Sequence, residues 1–241
     1  PGAVEQGLLV DLEPYLDVWE ERSSLTMAAK AVLSSMGNGR AFLMPITLNQ
    51  DLVYYRSDWF EAYNQDKTEG LVYCRIWEDF IDAADVVRFD KQGAFAAGLV
   101  FGGQEHLVDL FDSVLWSTTN VGRMADTAAS YFSNVEGNTT LFTLEHAASA
   151  VEQFAQLVEG AVPQEALTWT EDQAVEAFIN GEAITLIAGQ DRMEEIAAAM
   201  DEGAWDVAGY PRGTAGLAVT SLEFTGFGVA ASSQQVGNAV H

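Results

Sequence analysis

Polar residues follow two apolar segments of the chain, at the points where a β-strand is expected to end. Gly102 to His106 (GGQEH) follow the apolar segment 95–101, and Gly189 to Arg192 (GQDR) follow the apolar segment 183–188. In an open α/β sheet, ligands bind outside the carboxyl ends of the strands, where the next helix begins with unbonded backbone N–H groups. The two turns therefore predict a site that hydrogen-bonds to the hydroxyls of a small polar ligand. Ordinary strand-to-helix turns, with an acid that suits the helix dipole, are the alternative interpretation.

Paired carboxylates suggest a second kind of chemistry, because glycoside hydrolases use two of them. The chain has 36 acidic residues, so a pair such as Glu105 and Asp191 is expected by chance. Gly226 to Ala231 (GFGVAA) match the dinucleotide-binding pattern G-x-G-x-x-A. That pattern requires a preceding strand and a helix that begins on it, whereas this segment itself resembles a strand. Nucleotide binding is therefore not expected.

Metal and cysteine chemistry are not expected either. The histidines at positions 106, 146 and 241 are scattered, without the spacing of a metal site. Cys74 is the one cysteine, so neither an intramolecular disulfide nor a cysteine metal cage is possible. The sequence predicts no catalytic residue, no metal and no cofactor.

The composition indicates an acidic globular protein. Hydrophobic residues make up 49% and aromatic residues 11% of the chain, and no apolar run reaches the length of a membrane span. The net charge is −25, from 36 acidic and 11 basic residues. Such a surface repels phosphate backbones and anionic lipid, so we expect no nucleic-acid partner and no membrane-surface role. The opening PGAVE has no signal-peptide pattern, and we expect any targeting signal to lie outside this sequence.

Hydrophobic periodicity predicts helices that alternate with short strands, which is typical of an α/β fold. The segment 120–142 is polar and gives no clear pattern, while Thr170 to Gln173 (TEDQ) match a capping box. The predicted helices are 14–36, one beginning at 57–58, 77–87, 105–116, 144–158 after an N-cap at Thr143 and before a stop at Gly160, 170–178 and 190–200; the predicted strands are 41–46, 52–55, 95–101, 183–188, 205–208 and 226–230.

The segment 39–60 predicts a crossing between two lobes. An apolar strand at 41–46 is followed by a polar interruption at 47–51 and a second apolar strand at 52–55. Polar groups at such a crossing are expected to face a ligand. Trp116 and Trp169 lie near element ends with polar neighbours, so each is expected either to stack on a sugar ring or to pack at the rim of the core.

Several motifs, in order along the chain, resemble the family 1 extracellular solute-binding proteins of ABC importers, the maltose-binding-protein-like branch. They are GLLVDLEP from Gly7, GRAFLMPI from Gly39, LVYYRSDWF from Leu52, WEDF from Trp77, FINGEA from Phe178, DVAGYPRG from Asp206 and GFGVAASS from Gly226. Singly each motif is loose, whereas their order and spacing over nearly the whole chain are specific.

The resemblance implies the class II periplasmic-binding-protein fold, in which two α/β lobes joined by hinge strands close on a ligand. Members of this family are longer than 241 residues. The chain is therefore predicted to be a fragment with one nearly complete lobe and remnants of the other. Residues 1–45 would be a remnant of the N-terminal lobe with the first hinge strand, 46–225 the C-terminal lobe, and 226–241 the second hinge crossing.

The resemblance also implies a set of ligand contacts in the cleft between the lobes. Asn49 falls where the family has a sugar-binding carboxylate in the hinge, and Asp191 replaces a stacking tryptophan, which favours hydrogen bonding over flat-face recognition at that point. The predicted ligand-binding residues are Asn49, Gln50, Gly102, Gln104, Glu105, Trp116, Trp169, Gly189, Gln190, Asp191, Thr225 and Gly226.

The predicted function is that of the substrate-binding subunit of an ABC importer, a monomer that binds a sugar or oligosaccharide and delivers it to the transmembrane permease subunits. It would lie outside the cytoplasm, in the periplasm or as a lipoprotein on the surface of a Gram-positive cell. Three alternatives stay open: the same fold with a non-sugar solute, such as a polyol phosphate or a metal ion; a carbohydrate-active hydrolase with paired carboxylates; and a fragment that binds no ligand by itself.

Overall fold

A computed structural model describes residues 2–35, 39–65, 70, 73, 75–90, 97–118 and 145–239, without the side chains of 34–35, 86–90, 145–146 and 238–239. The chain divides into two compact units. Unit 1 comprises Pro1–Asn49 and Leu222–His241, and unit 2 comprises Gln50–Ser221. The predicted lobe, 46–225, begins and ends a few residues outside unit 2.

Helices and strands alternate in the described residues, which confirms the predicted α/β class. In chain order the elements are α1 Gly2–Glu5, α2 Glu13–Leu16, a 3₁₀ helix Glu20–Ser24, α3 Met27–Ser35, β1 Met44–Tyr55, α4 Ser57–Asn64, α5 Glu78–Asp90, β2 Val100–Phe101, α6 Gly103–Thr118, α7 Glu145–Ala161, a 3₁₀ helix Gln164–Thr168, α8 Glu171–Ile179, β3 Thr185–Gly189, a 3₁₀ helix Gln190–Arg192, α9 Met193–Ala199, β4 Asp206–Ala208, β5 Leu222–Phe227 and α10 Val236–Ala239.

Unit 2 contains a mixed sheet with the strand order β2-β3-β1-β4. β2 and β3 are parallel, with Val100 opposite Leu186. β1 runs antiparallel to both β3 and β4, and its residue Asp51 pairs with Gly189 at the end of β3. Because β2 and β3 are parallel neighbours, their carboxyl ends lie at the same edge of the sheet.

The core of unit 2 lies between this sheet and its helices. Every residue of β3 is buried, as expected for a strand covered on both faces. Large side chains with less than 2% exposure fill the core; among them are Trp77, Phe80, Phe101, Leu157, Phe178 and Leu186. The Nε1–H of Trp77 donates to the hydroxyl of Ser117 at 2.9 Å, which satisfies the buried indole.

Unit 1 has a smaller core, formed by Leu12, Leu16, Leu33 and Ala41. Its strand β5 pairs with β1. A Cβ atom on Gly226 would lie 2.7 Å from the carbonyl oxygen of Met44, so the two strands approach too closely there for any side chain.

Two predictions in the N-terminal part of the chain are wrong. The helix predicted at 14–36 is three short helices, because the hydroxyl of Thr26 accepts a hydrogen bond from the backbone N–H of Ala29 and so caps a new helix. The polar interruption predicted at 47–51 is absent, and β1 is continuous from Met44 to Tyr55. Strand pairing joins backbone groups, so the polar side chains do not end the strand.

Other boundaries shift by a few residues. Residues 226–230 were predicted as a strand, but β5 lies at Leu222–Phe227. Gly160 does not end α7, which continues to Ala161. The capping box at Thr170 is confirmed, since its hydroxyl accepts the N–H of Gln173 and the Gln173 side chain accepts the N–H of Thr170. The segment 120–142 and the cap predicted at Thr143 lie outside the described residues.

Candidate ligand-binding site

The two predicted ligand turns of unit 2 lie side by side. α6 begins at Gly103, directly after β2, and the 3₁₀ helix Gln190–Arg192 follows β3. The strand pairing therefore confirms that both turns lie at one edge of the sheet. The backbones of Gly102 and Gly189 are buried there, while the side chains of Gln104, Glu105, Gln190 and Asp191 are exposed. Their contact with a ligand stays a prediction.

The turn after β2 packs tightly against the segment before α8. Cβ atoms on Gly102 and Gly103 would lie 2.6 Å from the backbone nitrogen of Glu171 and 2.4 Å from the carbonyl oxygen of Leu167. The backbone N–H of Gln104 donates to the carbonyl oxygen of Trp169 at 3.1 Å. Its side-chain amide donates to the carbonyl oxygen of Thr168 at 2.6 Å. Glycine is therefore required for this close approach, and the side chain of Gln104 is held in place.

The turn after β3 is held from both sides of Gly189. The Oε1 atom of Glu171 accepts a hydrogen bond from the Gly189 N–H at 2.9 Å. The hydroxyl of Tyr54, a residue with 0% exposure, donates to the Gly189 carbonyl oxygen at 2.8 Å. The Oε2 atom of Glu171 also accepts from the Nε–H of Arg192 at 2.9 Å. Both ends of the turn are therefore bonded to the sheet or to α8.

His106 lies between two carboxylates at the same edge. Its Nδ1 atom is 3.7 Å from Asp51 Oδ2, and its Nε2 atom is 3.7 Å from Glu171 Oε1. The interaction with Asp51 is the main cause that raises the pKa of His106 to about 9, while burial opposes the rise and Glu171 and Asp109 reinforce it. The imidazole is therefore cationic at neutral pH.

Asp51 is also bonded to a buried tyrosine. The hydroxyl of Tyr210 donates to Asp51 Oδ2 at 3.3 Å, and the side chain of Asp51 is 8% exposed. Burial and the neighbouring Asp51 raise the pKa of Tyr210 well above its ordinary value. Burial, with Asp191 as the largest charge contribution, likewise raises the pKa of Tyr54. Both phenols therefore stay protonated and serve as hydrogen-bond donors.

Sequence patterns assigned no site role to Asp51, Tyr54, Glu171 or Tyr210. They placed His106 in the predicted turn after β2 but indicated no charged partner for it. Among these residues, only Asp51 could have been singled out from the local sequence, because it is an acid directly before the apolar residues 52–55. Such a buried acid requires a partner from elsewhere in the fold. The side chain of His146 and the whole of His241 lie outside the described residues.

The two tryptophans that were predicted to contact the ligand differ in position. Trp169 is half-buried beside Gln104 and packs against the core of unit 2. Trp116 lies in the last turn of α6, about 20 Å along the helix axis from Gly103. The fold therefore brings Trp169, but not Trp116, to the strand-end turns.

Unit 1 holds three of the predicted ligand residues. Asn49 and Thr225 line one open cavity of about 520 Å³, together with Thr47, Leu222, Glu223 and Phe224. The close approach of the backbone to Met44 accounts for a glycine at position 226. Gln50, the first residue of unit 2, is exposed. A second cavity of unit 1, of about 770 Å³, is mainly apolar and has none of the predicted ligand residues in its described lining.

Metal binding gains no support in the described part of the chain, where no group of three or more His, Cys, Asp or Glu side chains is arranged to hold an ion. Among the same residues, no helix combines the length and the apolar character of a membrane span.

Comparison with known proteins gives one family over nearly the whole chain. Residues 1–239 match the sequence profile of the family described as bacterial extracellular solute-binding protein, which confirms the predicted family and an extracellular setting. No curated protein matches significantly.

Solved structures share the fold at low sequence identity. Maltose-bound MalE3 of T. maritima is 23% identical, with a TM-score of 0.70, over 98% of this chain and 56% of that protein. A probable secreted solute-binding lipoprotein of Streptomyces coelicolor is 21% identical, with a TM-score of 0.71, over 93% and 54%. A D-mannitol-bound ABC transporter solute-binding protein of Agrobacterium vitis is 17% identical, with a TM-score of 0.67, over 100% and 55%. The chain thus spans a little over half the length of these proteins.

Proposed function

We propose that this chain, which belongs to the family of bacterial extracellular solute-binding proteins, is part of the substrate-binding subunit of an ABC importer and binds a sugar or oligosaccharide without chemical change. The observation that carries the proposal is the adjacency of the two turns after β2 and β3. The proposed partner is the transmembrane permease, which would receive the sugar from this subunit.

The chemistry of the turns suits a hydroxyl-rich ligand. Exposed amide and carboxylate groups at Gln104, Glu105, Gln190 and Asp191 can donate to and accept from sugar hydroxyls, as binding sites for neutral polar ligands require. Three of the nearby acids, Asp109, Asp191 and Asp172, add negative charge that disfavours anionic solutes such as polyol phosphates. Solved proteins of similar fold hold maltose and D-mannitol, which supports the same ligand class here.

The buried carboxylates at this edge favour binding over hydrolysis. Asp51 accepts the hydroxyl of Tyr210, and Glu171 accepts the N–H groups of Gly189 and Arg192. A general acid for glycoside hydrolysis must reach the leaving oxygen of the substrate. Asp51 and Glu171 are instead bonded to the protein itself, so their role here is to hold the turns in position.

The proposal is tested by isothermal titration with maltose, maltotriose and D-mannitol, followed by variants of the exposed turn. Gln190→Ala and Asp191→Ala should each weaken the affinity for the bound sugar about five- to tenfold, because each loses a hydrogen bond to a hydroxyl. Gln156→Ala is the matched control, since Gln156 is an exposed glutamine on α7. Equal affinities for all three variants and the wild type would contradict the proposed site.

Chromatography of the sugar after prolonged incubation distinguishes binding from hydrolysis. An unchanged oligosaccharide is the expected result. Shorter products that increase with protein concentration would show that the chain is a hydrolase and would overturn the proposal.

A further inference from the structure

Glu171 contacts both strand-end turns of unit 2, and we propose that it is the positioning residue that fixes the Gly189–Arg192 turn for ligand binding. Glu171 would act through Gly189 and Arg192, without touching the ligand itself. The inference rests on the proposed function, because it assigns a role to the turn that would hold the sugar.

The carboxylate of Glu171 bonds to the first and last residues of the turn. Its Oε1 atom accepts the N–H of Gly189 at 2.9 Å, and its Oε2 atom lies 2.9 Å from Nε and 2.8 Å from Nη2 of Arg192. The side chain of Glu171 is 16% exposed, so solvent and salt screen these charge-assisted bonds only weakly. Gln190 and Asp191 lie between the two bonded residues and are exposed. One carboxylate therefore sets the path of the backbone that presents both side chains.

The same residue also contacts the turn after β2. A Cβ atom on Gly102 would lie 2.6 Å from the backbone nitrogen and 2.7 Å from the Cα atom of Glu171. His106, in the first turns of α6, lies 3.7 Å from Glu171 Oε1. The relative position of the two turns thus depends on where Glu171 lies.

Glu171 is itself held firmly, because it is the first residue of α8. The capping box formed by Thr170 and Gln173 fixes the start of this helix. An acid at that position also interacts favourably with the helix dipole. A residue that is fixed by its own helix can serve as a reference point for two neighbouring turns.

The test compares Glu171→Gln with Asp172→Asn in otherwise intact protein. The glutamine has the same size, but its NH₂ group must take the place of one carboxylate oxygen, where it meets either the N–H of Gly189 or the guanidinium of Arg192. One of these hydrogen bonds is therefore lost, and the other loses its charge. Asp172 provides the matched control, because it lies 2.5 Å from Arg192 Nη2 with a side chain that is 78% exposed. The control removes one negative charge beside the same arginine and leaves Gly189 bonded.

Two NMR readouts report the contacts directly. In Glu171→Gln, hydrogen exchange of the Gly189 amide should accelerate about tenfold, and the titration midpoint of His106 should fall. Asp172→Asn should change the exchange rate less than about twofold, because the N–H of Gly189 keeps its hydrogen bond to Glu171. If Glu171→Gln does not fold, Glu171→Asp replaces it, because the shorter carboxylate keeps the charge and loses the reach to Gly189.

Affinity for maltose or D-mannitol connects the contacts to binding. About a tenfold loss of affinity in Glu171→Gln, with wild-type affinity in Asp172→Asn, is expected. Two results would overturn the inference: the same NMR behaviour in both variants, or an altered Gly189 amide with unchanged sugar affinity. If the wild type binds neither maltose nor D-mannitol, the proposed function fails, and the role in binding fails with it. The NMR comparison would then still decide whether Glu171 fixes the turn.

Discussion

The imidazole of His106 lies 3.7 Å from the carboxylate of Asp51, although one residue is on α6 and the other on β1. The side chains are 13% and 8% exposed, so the pair is largely withdrawn from water. A buried acid and a buried imidazole are each costly alone, and each becomes tolerable when the other carries the opposite charge. The contact therefore links the sheet of unit 2 to α6, the helix that begins directly after β2.

The pKa of His106 predicts a stability that depends on pH. The folded pKa is about 9 against an ordinary value of 6.5, so the folded state binds the proton more tightly than the unfolded state does. Stabilisation is complete below pH 6.5 and is lost as the pH rises through 9. The free energy of unfolding of the wild type, relative to His106→Gln, should therefore fall by up to about 3 kcal/mol across this window.

Urea denaturation of the wild type and His106→Gln at pH 6, 7, 8, 9 and 10, at about 0.15 M salt, measures this difference. Other groups titrate in both proteins, so their contributions largely cancel in the comparison. A difference that stays constant from pH 6 to pH 10 would show that the charge of His106 does not stabilise the fold.

Removal of the Tyr54 hydroxyl should destabilise unit 2. Tyr54→Phe leaves the buried carbonyl group of Gly189 without its donor, which should lower the free energy of unfolding by about 1–2 kcal/mol. Tyr55→Phe is the matched control, because the hydroxyl of Tyr55 donates at 3.2 Å to Asp206, whose side chain is exposed and can bond to water instead. Denaturation of the two variants should separate them. A loss in Tyr55→Phe as large as in Tyr54→Phe would contradict this account of Gly189.

The elements that sequence patterns predict well are those with local causes. The box at Thr170 and Gln173 satisfies backbone groups within four residues, so its sequence is sufficient to place the start of α8. The two strand-end turns could be found because each follows an apolar run. Their adjacency depends on the parallel pairing of Val100 with Leu186, which the α/β pattern favours.

The contacts among Asp51, His106 and Glu171 could not be predicted from spacing. The three residues come from β1, α6 and α8, and their approach depends on how those elements pack. Nor could polar side chains reveal that β1 continues through 47–51, because strand pairing joins backbone groups and not side chains. The family resemblance predicts a ligand-binding residue at Asn49, but it assigns no role to Asp51, the buried acid two positions later.

Loss of the α8 cap should weaken the helix that carries Glu171. Thr170→Ala removes the hydroxyl that accepts the N–H of Gln173, and the free energy of unfolding should fall by about 1 kcal/mol. Thr170→Ser keeps the hydroxyl and should stay close to the wild type. Chemical denaturation measures both values. If serine at this position costs as much as alanine, the capping bond is not what stabilises the start of α8.

A methyl group on Gly103 should disrupt the turn that begins α6. In Gly103→Ala the new Cβ atom would lie 2.4 Å from the carbonyl oxygen of Leu167 and 2.5 Å from that of Ala166, and both are backbone atoms that can move only with the chain. The free energy of unfolding should fall by about 1–3 kcal/mol.

Gly209→Ala is the control for Gly103→Ala, because no atom lies within 4 Å of the Cβ position there. Thermal and urea denaturation of both variants measure the difference. The close packing of this turn would be refuted if Gly103→Ala were as stable as Gly209→Ala. If packing at Gly103 also holds the proposed ligand-binding turn in place, Gly103→Ala should lose sugar affinity under conditions in which it remains folded, whereas Gly209→Ala should keep it.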